Sequence, residues 1–149
     1  MEFLRTNDNG ADIYTDYGHH PTEINAVYHA MRKKYHDKKI IAIVQPHQLR
    51  RVLEFRHERV RVLKQFDTLY LYPIFAARED VTVLLKEYNH SWISAAVTAE
   101  DVGRELALQV QGKYITEVAH VQEIMENAEG NEVVVLFTAG SLDYQIRKL

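Results

Sequence analysis

Between Pro21 and Tyr35 the apolar residues Ile24, Val27, Tyr28, Met31 and Tyr35 recur every three or four positions, which predicts one buried face of a helix. Pro21 suits the first helical turn, where its missing N–H costs nothing, and it puts His20 near the N-cap. The basic run Arg32-Lys33-Lys34 complements the helix dipole at the other end. Two stretches have no helical period at all. Ile40-Ile41-Ala42-Ile43-Val44 and Val133-Val134-Val135-Leu136-Phe137 are continuously apolar, as strands buried on both faces of a parallel sheet are. Ahead of them, residues 1–6 and 11–16 flank Asn9-Gly10, which supplies the positive-φ positions of a tight turn and predicts a β-hairpin.

The remaining pattern fills in the layers. A second helix is expected over 49–65, with Leu49, Val52, Leu53, Val60 and Leu63 inward and Arg50, Arg51, Arg56, Arg59 and Arg61 on its other faces. A strand over 67–72 ends at Pro73, a loop covers 74–80, a short helix covers 81–88, and 91–97 is ambiguous. Thr98-Ala99-Glu100-Asp101 has the form of a capped helix start, with Gly112 as the stop. A short strand (113–117), a helix (120–128) and a turn at Gly130-Asn131 follow. The last strand leads through Thr138-Ala139-Gly140-Ser141 into a final helix with Leu142, Ile146 and Leu149 on one face. Strands and helices alternate, so the expected fold is an α/β layer structure with a mostly parallel sheet.

Composition narrows the class. A 149-residue chain with 46% apolar residues is one domain with a real core. No cysteine is present, which removes disulfides, thiolate metal sites and thiol nucleophiles, and fits a reducing compartment. A net charge of −3 argues against a general nucleic-acid binder. No apolar run approaches the ~20 residues that span a membrane, so a soluble, cytoplasmic protein is expected. Only Met1 precedes the first strand-like segment, which suits either a whole small protein or a domain of a longer one.

In parallel sheets ligands bind beyond the carboxyl ends of the strands. The loops at 16–21, 46–51 and 73–78, with 138–141, should therefore gather along one edge. The first carries Asp16-Tyr17-Gly18-His19-His20-Pro21-Thr22-Glu23. Asp16 is placed to bind sugar hydroxyls, and the helix start favours an anion; the competing reading is that Asp16 and His20 cap the helix and His19 is packed. Adjacent histidine side chains diverge and no third ligand has helical spacing, so no metal site is expected. Arg51, at a helix start after a buried strand, either clamps a carboxylate or phosphate or belongs to a solvated face; Arg56, Arg59 and Arg61 read as solvated. Arg78-Glu79 is either a surface ion pair or part of the site. No phosphate loop, dinucleotide fingerprint or nucleophile elbow occurs in the chain.

The octet Asp16 to Glu23, then Gln45-Pro46-His47 with Arg51, then Phe75-Ala76-Ala77-Arg78-Glu79, resembles the C-terminal domain of the Mur ligases. The resemblance covers essentially the whole chain and is strongest to the branch that joins L-alanine to UDP-N-acetylmuramate. It implies a Rossmann-like three-layer fold and an ATP-dependent ligase of peptidoglycan biosynthesis, forming an amide through an acyl phosphate. It also implies two further domains, one for the UDP-sugar and a central one with the phosphate loop and Mg²⁺, and an isolated chain that is inactive. Carried over by position, Asp16 holds the ATP ribose. Tyr17, His19 and His47 line the amino-acid pocket, Arg51 binds the amino acid's carboxylate, and His19 or His47 takes the amine proton. His20, Gln48 and Arg78 are possible lining. The chain departs from the family pattern at Thr15, Gln48, Val52, Pro73 and Ala139-Gly140-Ser141, which bears on amino-acid specificity more than on fold. Two alternatives stay open: attachment of a recycled peptide or another amino acid, and a stand-alone non-catalytic nucleotide- or amino-acid-binding module.

Overall fold

A six-stranded sheet in the order β1-β2-β6-β3-β4-β5 divides the molecule into three layers. The structure is a computed structural model that describes residues 1–88, 91–138 and 140–149. The strands are β1 (Glu2–Thr6), β2 (Asp12–Asp16), β3 (Lys39–Val44), β4 (Thr68–Leu71), β5 (Lys113–Tyr114) and β6 (Glu132–Phe137). Only the β1–β2 pair is antiparallel; every other pairing is parallel. The chain steps outward from β2 to β3, β4 and β5, then returns to insert β6 between β2 and β3.

That route sorts the helices. Outward steps place α1 (Pro21–Lys34), α2 (Leu49–Glu54), α3 (Arg56–Leu63), α4 (Val81–Glu87) and α5 (Ala99–Gln109) on one face. The return places α6 (Val118–Asn127) and α7 (Ser141–Ile146) on the other. Successive side chains of a strand point to opposite faces. Ile40, Ala42 and Val44 of β3 and Val133, Val135 and Phe137 of β6 therefore join the first core, while Ile41, Ile43, Val134 and Leu136 join the second. This double burial is why both strands are continuously apolar.

The hairpin, α1, β3, β6 and the capped start of α5 agree with the sequence pattern, including a full capping box at Thr98 and Asp101. Several details differ. In the hairpin turn only Gly10 adopts positive φ, at 85°. Asn7 does the rest: its carbonyl oxygen accepts from the N–H groups of Asn9 and Ala11, and its amide donates to the carbonyls of Met125 and Ala128. The single helix expected over 49–65 is two helices broken at Phe55, where φ is −104° and ψ is 30°. The break brings the Phe55 ring against His20, 4.6 Å between centroids. It also rephases the second half, so Val62 and Arg59 are buried and Val60 only partly so. The expected solvated Arg59 is therefore corrected: it is fully buried. Strand β5 shortens to two residues, α6 starts earlier, at Val118, and 91–93 forms a 3-10 turn. Ala139 lies outside the described residues.

Candidate functional site

The ends of β2, β6, β3 and β4 form one edge, laced by backbone bonds that run past the strands. Thr138 N–H donates to Asp16 O, Gln45 N–H to Phe137 O, and Tyr72 N–H to Val44 O, at 2.9–3.0 Å. The loops leaving β2 and β3 thus start from a fixed frame.

The first loop is built on two carboxylates. Asp16 Oδ1 accepts from Gly18 N–H at 2.7 Å, and the Met1 amino nitrogen lies 2.6 Å from Oδ2. A Cβ on Gly18 would meet Asp16 Oδ1 at 2.7 Å and Glu23 Cβ at 3.3 Å, so only glycine lets the loop close this tightly. Glu23 accepts from both His19 and His20 N–H, and His20 Nδ1 accepts from Thr22 N–H: a capping box in which histidine takes the usual serine role. These amide bonds hold the Glu23 carboxyl below its ordinary range. His20 is thus a cap, as the competing reading had it.

His19 sits next to that cap but faces across the edge. Its Nε2 hydrogen-bonds Arg51 Nη1, and its Nδ1 lies 3.1 Å from Tyr17 O. A guanidinium can only donate, so Nε2 must accept and Nδ1 carries the hydrogen aimed at the carbonyl. The His19 ring also meets His47 edge-on, with centroids 5.5 Å apart. His47 stacks on Phe75 at 5.5 Å and 21°, and a backbone bridge joins the same two residues. Burial first, then the His19 ring and Arg51 beside it, push the His47 pKa below its ordinary value, with Glu79 opposing.

Arg51 is presented by the first turn of α2. That turn starts from Gln48, a non-glycine residue at φ 66° and ψ 118°, a sparsely populated backbone state found mainly at functional sites. Gln48 makes no side-chain cap. Glu79 supplies it, accepting from Leu49 N–H at 2.5 Å and Arg50 N–H at 3.0 Å. So Glu79 caps a helix and forms no ion pair with Arg78, which is exposed. The structure therefore gathers His19, His47 and Arg51 with Asp16 and Gln48 along the edge, and leaves Arg78 outside the contacts.

Tyr17 belongs to a second cluster on the flank. Its ring is 61% exposed, but its hydroxyl donates to Asp143 Oδ2 at 3.0 Å. Asp143, on α7, also accepts from Arg147 Nε at 2.8 Å, Thr138 Oγ1 at 3.1 Å and Thr15 Oγ1 at 3.4 Å. Burial pushes its pKa up, but the donors from Arg147, Tyr17 and Thr138 outweigh that and hold it below the carboxylate range. Asp143 and its donors thus form a latch across this flank. Gly140 completes it, since a Cβ there would meet Phe75 at 3.0 Å.

Arg59 and Asp143 are the site-forming residues that sequence reading passed over. Arg59 Nη2 donates to the carbonyl of His19 at 2.8 Å, while Nε and Nη1 are buried without a partner. Gln45 Oε1 and His47 Nδ1 are buried and unpartnered at the same edge. The available signal for Arg59 was its phase: it lies four residues before Leu63 and seven after Val52, on the apolar stripe. Nothing comparable marks Asp143.

Residues 1–140 match the family model described as Mur ligase, glutamate ligase domain. The chain is 44% identical over 132 residues to a UDP-N-acetylmuramate--L-alanine ligase of Hydrogenobaculum sp., covering 87% of this chain and 26% of the relative. It is 31% identical over 137 residues to the enzyme of that name from Christiangramia forsetii, covering 92% of this chain and 27% of the relative. Among solved structures, the UDP-N-acetylmuramate-alanine ligase of Thermotoga maritima shares the fold, with a TM-score of 0.62 at 17% identity over 95% of this chain and 27% of that one. The chain spans about a quarter of the length of the curated relatives it matches.

Proposed function

The chain belongs to the Mur ligase family, as its C-terminal domain, and on that premise we propose that it supplies the amino-acid and ATP-ribose half of a UDP-N-acetylmuramate–L-alanine ligase acting in the cytoplasm. The observation that carries the reading is the cluster of Arg51, His19 and His47, in which Arg51 has no carboxylate partner among the described residues. A guanidinium held by a neutral ring at a strand edge is free to take the carboxylate of an incoming amino acid.

In the proposed reaction, ATP converts the muramoyl carboxylate to an acyl phosphate, with release of ADP. The amine of L-alanine attacks the acyl carbon, phosphate leaves with the bonding pair, and the nitrogen sheds a proton. His19 orients Arg51, because its Nε2 is already engaged there. His47, kept neutral near pH 7 by burial and by Arg51 beside it, is the available proton acceptor. Asp16 fits the ribose role: Gly18 N–H fixes its Oδ1, and the carboxylate retains lone pairs for hydroxyls. The phosphate loop, the Mg²⁺ ligands and the UDP-sugar site are proposed to lie in two further domains of the same protein. The chain by itself is then expected to hydrolyse no ATP; steady turnover by pure material would contradict this.

Kinetics of Arg51→Ala in the intact protein test the reading. Loss of a charge-assisted contact, about 1.5–3 kcal/mol, should raise the KM for L-alanine ~10- to 100-fold with little change for ATP. An unchanged KM for L-alanine removes Arg51, and with it the amino-acid assignment.

A further inference from the structure

Arg59 has no role in the reaction as set out above, yet it is among the largest fully buried side chains of the described residues. A guanidinium taken wholly out of water is costly unless it is paired and hydrogen-bonded. Here it has one neutral acceptor, the carbonyl of His19, and two nitrogens with none. No ion pair forms with it among the described residues. The carboxylates of the neighbouring loops are committed elsewhere: Asp16 accepts from Gly18 N–H, Glu23 caps α1 and Glu79 caps α2. Glu54 and Glu58, flanking it in sequence, are exposed. Only burial and the charge of Arg51 bear on its pKa, both pushing it down, to about 10, so it remains a cation at neutral pH.

A purely structural residue at this point would be apolar, like Val62 and Leu63 beside it on α3. What the arginine adds is charge. Arg51, half-buried, and Arg59, fully buried, form a pair of interacting cations with no ion-pair partner among the described residues. A field of this kind strengthens in a low-dielectric setting and acts beyond direct contact.

We propose that Arg59 is a positioning residue of the amino-acid site: it fixes the loop between β2 and α1 through the His19 carbonyl, and from behind Arg51 it raises the site's preference for a ligand bearing a carboxylate, without touching that ligand. This rests on the amino-acid reading above. It also makes Arg59 a compromise, destabilising the ligand-free domain and stabilised when an anion docks.

The test uses the intact protein with L-alanine and L-alaninamide as acceptors, the amide differing by loss of the carboxylate charge. The wild-type protein should prefer L-alanine in kcat/KM. Arg59→Met should reduce that preference ~10-fold, mostly through KM, leave the KM for ATP in place, and raise the ligand-free Tm. Arg59→Lys should retain the preference. Arg59→Gln keeps a donor for the His19 carbonyl but not the charge; it should lose the preference too, and carries the test should the Met variant fail to fold. Met and Gln variants with the wild-type preference overturn the proposal, and a lowered Tm alongside would mark Arg59 as structural. A wild-type protein that does not distinguish L-alanine from its amide overturns the amino-acid reading itself, which is a different failure.

Discussion

Asp143 and Arg59 are both buried charges at the same sheet edge, on opposite faces, and the fold treats them in opposite ways. Asp143 receives four donors from three elements and rests on its ordinary charged form. Arg59 receives one acceptor and is pushed toward neutrality. A buried charge whose hydrogen-bonding capacity is filled ties elements together; one left open is tolerated only where something else needs its field. The flank with α7 is therefore a latch, and the flank with α3 is where the structure holds unmet polarity beside the proposed ligand.

The largest expected break in this contrast is Asp143→Ala. It strands the buried hydroxyls of Thr15 and Thr138 and frees Tyr17, and should cost about 2–3 kcal/mol, or roughly 5–10 °C in Tm. Thermal unfolding checks it; a change within ~1 °C would mean that the latch carries no stability. Next comes Thr138→Val, which removes one donor at nearly constant volume and should cost ~1 kcal/mol by denaturant titration. A zero effect would leave Arg147 and Tyr17 as the donors that matter. The smallest effect is in pH. The Asp143 carboxyl is depressed in the fold, so its contribution is present above the ordinary carboxylate pKa and lost as pH falls through the lower folded value. The His47 imidazole is depressed as well, so stability should begin to fall already as pH drops below about 6.5, where the unfolded ring takes up a proton and the folded one resists. His47→Phe should flatten that first limb and leave the more acidic one. A wild-type curve flat between pH 7 and 5 would remove His47 from the account.

Much of this architecture was legible in the order of residues. The uninterrupted runs from Ile40 and Val133 announce the two central strands, because burial on both faces leaves no room for polar alternation. The octet from Asp16 to Glu23 and its partners Gln45-Pro46-His47 announce the edge and the family. What stayed hidden depends on contacts across the molecule. The break at Phe55 has no glycine or proline to mark it, since it follows from where the Phe55 ring finds His20. Arg59 looked solvated because arginine usually is, although its phase against Val52 and Leu63 set it on the apolar stripe. Glu79 read either as half of an ion pair with its neighbour or as part of the site, whereas its oxygens cap a helix thirty residues earlier. Asp143 is one acid on a short helix, and its meaning comes from Thr15, more than a hundred residues away in sequence.

The position of β6 has a consequence for how the chain acquires its shape. This strand is the last of the six to be synthesised, yet it pairs with both β2 and β3 and no other described strand links them. Until Phe137 is made, the β1–β2 hairpin touches α1 through Tyr14 and Tyr35 but has no strand to join it to the rest of the sheet, and the loops bearing Asp16 and His47 have no common frame. Maturation of the binding edge is then a single late event, gated by a long-range closure rather than assembled piece by piece during synthesis.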